Sequence, residues 1–142
     1  MPGAVPTAVL RRWRSLRRDD RGYGIIEMVI TIPAMITLVM FVVQFSLIWH
    51  ARHVAQAAAE EGLRSGRAYQ ATPADGKNRA EQYLQALAGK LISNPTVGST
   101  PTGNTLTVTV DGTVTSLVPF ATFHVHEQAT GPIERFVAPG GG

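Results

Sequence analysis

No cysteine occurs among the 142 residues of the chain. Disulfide staples, thiolate zinc sites, iron–sulfur clusters and thiol catalysis are therefore excluded. Charge is scarce too: 16% of residues are charged, against roughly a quarter in an ordinary globular protein. With 44% hydrophobic residues, this is not the composition of a disordered chain. A chain this short holds one domain, or a small domain with an appendage. No G-x-S-x-G, phosphate loop, dinucleotide fingerprint or zinc motif occurs. Ser93 and Ser116 have no implied base. His50 and His53 lie one turn apart on a helix pattern, and His124 and His126 share a strand face. Neither pair has further ligands at suitable spacing, so no metal and no cofactor is expected. The chain is expected to be no enzyme.

What charge there is sits at one end. Residues 1–22 carry six arginines (Arg11, Arg12, Arg14, Arg17, Arg18 and Arg21) against Asp19 and Asp20, a net of +4. The other 120 residues sum to −1, so the overall +3 belongs to the leader. Such asymmetry points to a membrane or a nucleic acid. The neighbouring sequence decides for the membrane. From Met28 to Trp49, 22 residues carry no formal charge. As a helix they would extend about 33 Å at ~1.5 Å per residue, against a hydrocarbon core of ~30 Å. Thr31, Thr37, Gln44 and Ser46 are the polar side chains in this run. The apolar run is too long for a removable secretory signal. The arginines before the span place the N-terminus in the cytoplasm and residues 50–142 outside, with Trp49 at the interface. Bilayer lipid is thus an expected partner, in the cytoplasmic (inner) membrane, and nucleic acid is not.

Glu27 stands at the start of this span, in Arg21-Gly22-Tyr23-Gly24-Ile25-Ile26-Glu27-Met28. An ionisable group in apolar surroundings is a functional hypothesis by default. One reading pairs it with Arg21 at the interface. The other cuts the chain after Gly22, making Tyr23 a new N-terminus and Glu27 the fifth residue behind it. The freed amine, with an ordinary pKa of ~7.7–8, would be largely charged at neutral pH. In an assembly, Glu27 could then meet the amine of a neighbouring subunit.

A basic leader ending in Gly, then Glu at the fifth position, then a long apolar helix, resembles a type IV prepilin. The resemblance is closer to the TadE-like pseudopilins of the tight-adherence (Flp-type) pilus system. Glu27 with Pro33 six residues later carries it, as does Ala57-Ala58-Ala59-Glu60-Glu61-Gly62-Leu63-Arg64 after the span. It covers residues 21–67, with a fainter likeness at Thr130-Gly131-Pro132-Ile133-Glu134-Arg135-Phe136. Met28 departs from the aromatic that usually follows the Glu in related pilins. The resemblance implies cleavage between Gly22 and Tyr23 by a membrane aspartyl prepilin peptidase. It also implies a minor pilin or pseudopilin that helps initiate or assemble the pilus and serves cell adhesion. Other pilin subunits and the tight-adherence assembly machinery would be its partners, and it would become extracellular after assembly. An uncleaved, single-pass membrane-anchored binding module is the alternative, with an anchored enzyme behind it.

Four segments are expected: a basic cytoplasmic leader (1–22), a transmembrane helix (23–49), the outer half of the same long helix (50–70) and a small extracytoplasmic α+β domain (71–142). Pro33 is expected to kink the helix and to free the carbonyl of Val29, with Thr31 and Thr37 near enough to help; a hinge that unwinds on assembly is the alternative. The long helix should reach about Tyr69, some 47 residues and ~70 Å. Ala51, Ala55, Ala58, Ala59, Gly62 and Gly66 form a stripe of small residues that permits close backbone approach. It could pack on the chain's own domain or on a neighbouring subunit. Glu60 and Arg64 suit an i,i+4 pair.

Thr72-Pro73-Ala74-Asp75 signals a helix start. That helix should run to about Ile92, with Ala80, Tyr83, Leu84, Leu87, Ala88 and Leu91 on one face, until Ser93-Asn94-Pro95 stops it. Residues 96–104 suggest a loop. Strands are predicted at 105–110 and 113–118 around an Asp111-Gly112 turn, with Pro119 ending the second, and at 122–128. In the last, Phe123 and Val125 face one way and His124 and His126 the other. Pro139–Gly142 should fray. The fold class expected is therefore a membrane-anchored, pilin-like α+β protein: a long N-terminal helix, a second short helix and an antiparallel sheet of about three strands.

Overall fold

The computed structural model describes residues 20–134. Most of the basic leader, and the segment Pro139–Gly142, lie outside the described residues. The elements are helix α1 (Asp20–Gly66), helix α2 (Pro73–Leu87) and strands β1 (Ile92–Thr102), β2 (Thr105–Val114) and β3 (Phe123–Pro132). The strands form one antiparallel sheet in the order β1-β2-β3. This is the expected α+β class.

The chain divides into two units between Met40 and Phe41. In the first, α1 runs unbroken through Pro33. The Thr37 hydroxyl donates to the Pro33 carbonyl at 2.8 Å, its own position one turn back, and not to the Val29 carbonyl that proline frees. From Gly24 to Met40 every side chain is exposed except Met40, which is half-buried. The helix contains an 18-residue window of mean hydropathy 2.4, none of it buried, and is long and apolar enough to cross a membrane.

In the second unit the rest of α1 packs on α2 and the sheet. Ala51, Val54, Ala55, Ala58 and Ala59 share one buried cluster with Ala80 and Leu84 of α2 and with Leu106, Val108, Val110, Val114, Val125 and Ala129 of the sheet. The small-residue stripe is therefore covered by the chain's own domain. Two glycines let the backbones meet. A Cβ at Gly62 would lie 2.7 Å from the Gly76 carbonyl oxygen, and one at Gly66 would lie 3.0 Å from the Gly76 Cα. Arg79 of α2 reaches back to Glu61 of α1, with its guanidinium nitrogens 2.9 and 3.0 Å from Oε1. Arg64 also pairs with Glu61, at 3.3 Å, while Glu60 accepts from Gln56. The expected Glu60–Arg64 pair does not form, because Arg64 turns to the carboxylate already facing Arg79.

The start of α2 follows its sequence signal. Thr72 caps it, accepting from the Asp75 N–H, while the Asp75 carboxylate accepts from the Thr72 N–H at 2.7 Å. These bonds to Thr72 hold the Asp75 carboxyl below its ordinary 3.8. A carboxyl depressed in the folded state stabilises fully above its unfolded pKa and loses that contribution as pH falls through the lower, folded value. The cap should therefore weaken below about pH 3.8. Thr72→Ala should cost about 1 kcal/mol near neutral pH. Acid titration of the amide exchange rates in the first turn of α2 would check both, and an acid-insensitive cap would contradict the linkage.

The end of α2 differs from expectation. The helix stops at Leu87, five residues before Ile92, and Gly89 turns the chain at φ +49°. Ala80, Leu84 and Ala88 are buried as predicted, but Leu87 is exposed. α1 ends at Gly66, short of Tyr69. The expected loop at 96–104 is mostly strand β1, which carries only two buried residues, Ile92 and Val97. As an edge strand it tolerates Pro95 and Pro101. Its pairing slips between Ser93 and Thr96, where Asn94 takes φ +50°.

The hairpin turn is Gly103-Asn104, not Asp111-Gly112. Thr102 pairs with Thr105 across it, and Gly103 has φ +61°. A leading glycine of this kind fits a two-residue hairpin loop. Strand β2 runs straight through Asp111-Gly112 to Val114, so there is no separate 113–118 strand. Strand β3 is longer than expected and reaches Pro132. Its predicted faces hold, with Val125 buried and His124 and His126 exposed.

Candidate assembly site on the long helix

Glu27 is the only charged residue from Gly24 to Ala51. It is exposed, and Ile25, Ile26, Met28, Val29 and Ile30 around it are exposed as well. Helical geometry sets it four residues, one turn, beyond Tyr23. Both Gly22 and Tyr23 belong to the start of α1. The first N–H groups of a helix have no intrahelical acceptor, so this is where the backbone opens at least cost. The side chain of Arg21, the other proposed partner of Glu27, lies outside the described residues.

The remaining predicted positions separate by role. Pro33 lies within the exposed apolar run. Ala55, Ala59, Gly62 and Gly66 are buried in the second unit, where they hold α2 and the sheet. Two of the four histidines contact other side chains. His53 meets Trp49 edge-on at 5.0 Å between ring centroids, and His126 pairs with Asp111 directly across the sheet. Among the described residues no three His, Cys, Asp or Glu side chains cluster as metal ligands would. Trp49, Arg52, His53, Gln56 and Glu127 line an open groove of about 260 Å³.

In the sequence Gln44 is one of several polar side chains in the span, with Thr31, Thr37 and Ser46. In the structure Gln44 is 2% exposed. Its Oε1 accepts from the Leu117 N–H at 2.7 Å, and its Nε2 donates to the Thr115 carbonyl at 3.4 Å. A signal existed: Gln44, Ile48, Ala51, Ala55, Ala58 and Gly62 recur every three or four residues. The amide continues the packing stripe into the apolar run.

Residues 22–64 match the family model described as TadE-like protein. The match begins at Gly22, takes in Glu27 and Pro33, and ends two residues past Gly62. The chain thus carries a TadE-like segment, which supports association with a tight-adherence pilus. No curated protein and no solved structure matched the chain.

Proposed function

We infer that the protein is a minor pilin or pseudopilin of a tight-adherence pilus. In this reading a membrane aspartyl prepilin peptidase cuts it after Gly22, and α1 holds it in the cytoplasmic membrane until it joins the assembly. The small domain lies outside. The protein carries out no reaction of its own; it is a substrate of the peptidase and a building block for its partners.

One observation carries this reading: a lone, exposed carboxylate on an apolar helix, inside the TadE-like segment and one turn from the residue that would become the N-terminus. Residues 24–43 number 20, all of them exposed except half-buried Met40, and their roughly 30 Å of helix matches the hydrocarbon core. Glu27 then falls just inside the membrane, where water cannot fully solvate it. A charged amine from an adjoining subunit would answer it. At ~4 Å and an effective dielectric near 20 the attraction is about 4 kcal/mol before desolvation. Incoming subunits would thereby be recruited at a defined axial level.

The test is the N-terminus of the working protein. Protein extracted from membranes of a cell with an active prepilin peptidase should begin at Tyr23 by N-terminal sequencing and intact mass. A chain that keeps its leader while functioning would favour the anchored binding module.

A further inference from the structure

We propose that the apolar loop Leu117-Val118-Pro119-Phe120 inserts into the bilayer interface beside α1, giving the domain a second, non-helical hold on lipid. The inference rests on the single-span anchor and is independent of cleavage after Gly22. Residues 115–122 connect β2 to β3. Gln44 pins this loop to α1 through the Leu117 N–H and the Thr115 carbonyl. The depth of Gln44 therefore sets the depth of the loop.

That depth follows from the spacing to Trp49. Gln44 precedes Trp49 by five residues, which is about 7.5 Å along a helix. With Trp49 among the headgroups as an aromatic anchor, and a headgroup layer of roughly 5–7 Å, Gln44 lies at the hydrocarbon boundary. From the other end, Gln44 is the first buried residue among those described in α1, directly after Val43, while Phe45 on another face stays exposed, as a helix passing from lipid alone to lipid and domain would be.

Part of the loop's backbone is satisfied within the protein, and the Val118 and Phe120 N–H groups are left for headgroups and interfacial water. Leu117 gives its N–H to Gln44. The Val118 carbonyl accepts from the Ser116 hydroxyl at 2.9 Å and from the Ala121 N–H at 3.4 Å. Pro119 has no N–H to satisfy. No Asp, Glu, Lys or Arg occurs between Asp111 and Glu127. Side chains point the other way: Leu117 is 48% exposed and Phe120 107%. Phe120 also holds φ at +66°, a backbone region that bulky residues rarely occupy. Strain of this kind is a pointer to function when the rest of the site explains it. Here it presents an aromatic ring, free of protein contact, at the level where lipid begins.

The chain has no cysteine, so single labels report cleanly. Full-length protein carrying Thr122→Cys with a nitrobenzoxadiazole label would be reconstituted in phosphatidylcholine/phosphatidylglycerol vesicles at high lipid-to-protein ratio. Thr100→Cys, on exposed β1, serves as the water-facing reference. The label at position 122 should be quenched by lipids bearing shallow nitroxides and be several-fold less accessible to aqueous iodide than the label at 100. Adding Phe120→Asp should raise iodide access at 122 and leave 100 unchanged. Equal iodide access at the two positions in the unaltered loop would overturn the proposal, whether or not the Phe120→Asp variant folds. Shielding at 122 from iodide and from lipid quencher alike would overturn it too, and would assign the loop to a second copy of the chain.

Discussion

Gly62→Val is expected to unfold the small α+β domain while leaving the apolar part of α1 helical. A Cβ at this position would lie 2.7 Å from the Gly76 carbonyl oxygen, 2.8 Å from the Ala80 Cβ and 3.2 Å from a Val108 methyl. The first two belong to α2 itself, so no rotamer change relieves the clash. The helices would have to separate, and their separation would open the cluster shared by Ala58, Ala80, Leu84 and Val108. Overpacking of a close-packed core costs about 1–3 kcal/mol, and a branched side chain against backbone belongs at the top of that range or above. A disulfide-free domain of this size has a margin of only about 3–5 kcal/mol. Urea titration of the full chain in micelles, followed by amide exchange in β2, should show the loss. Gly24→Val is the matched control, since nothing lies within 4 Å of a Cβ there. An unchanged midpoint for Gly62→Val would mean that α1 and α2 are apart in the membrane-bound protein.

The contrast between these glycines also marks what the sequence could reveal. Small residues at three- and four-residue spacing announced a close approach, but not its object. Gly76, the residue approached, sits in a polar first turn, and nothing local gives it away. The Thr72–Asp75 cap was legible because both reciprocal bonds depend on residues three apart. Strand β1 was not. With only Ile92 and Val97 buried, its signal is weak, and its conformation is imposed by pairing with β2 along the whole edge. Two turn signals competed within ten residues, Gly103-Asn104 and Asp111-Gly112. The apolar alternation of Leu106, Val108 and Val110 continues in phase through Gly112 to Val114, so a continuous β2 keeps all four on the core face. At Gly112 a Cβ would meet the Ile92 side chain at 2.4 Å, so this glycine serves packing and not a turn. Glu27 was legible for a different reason: a charge in a charge-free run stands out without any tertiary information.

Glu27→Ala is expected to remove the subunit from sheared pili while leaving it in the membrane. The paired carboxylate and amine would gain about 4 kcal/mol at ~4 Å and an effective dielectric near 20, which is up to roughly a thousandfold in the association constant. Desolvation of both ions reduces this. Failed insertion would not explain the loss, because removing a charge makes a span easier to insert. Glu27→Gln keeps the size and the hydrogen bonding but not the charge, and should fail nearly as badly if attraction to an amine is the operative force. The measurement is the ratio of the protein in the pilus fraction to that in the membrane fraction, for each variant and the unaltered chain. Intact mass on the membrane fraction must show a start at Tyr23 in every case, so that recruitment is read separately from processing. Were both variants cut normally and incorporated normally, Glu27 would have no part in assembly. Were Glu27→Gln incorporated and Glu27→Ala excluded, a neutral hydrogen bond would replace the ion pair as the recruiting contact.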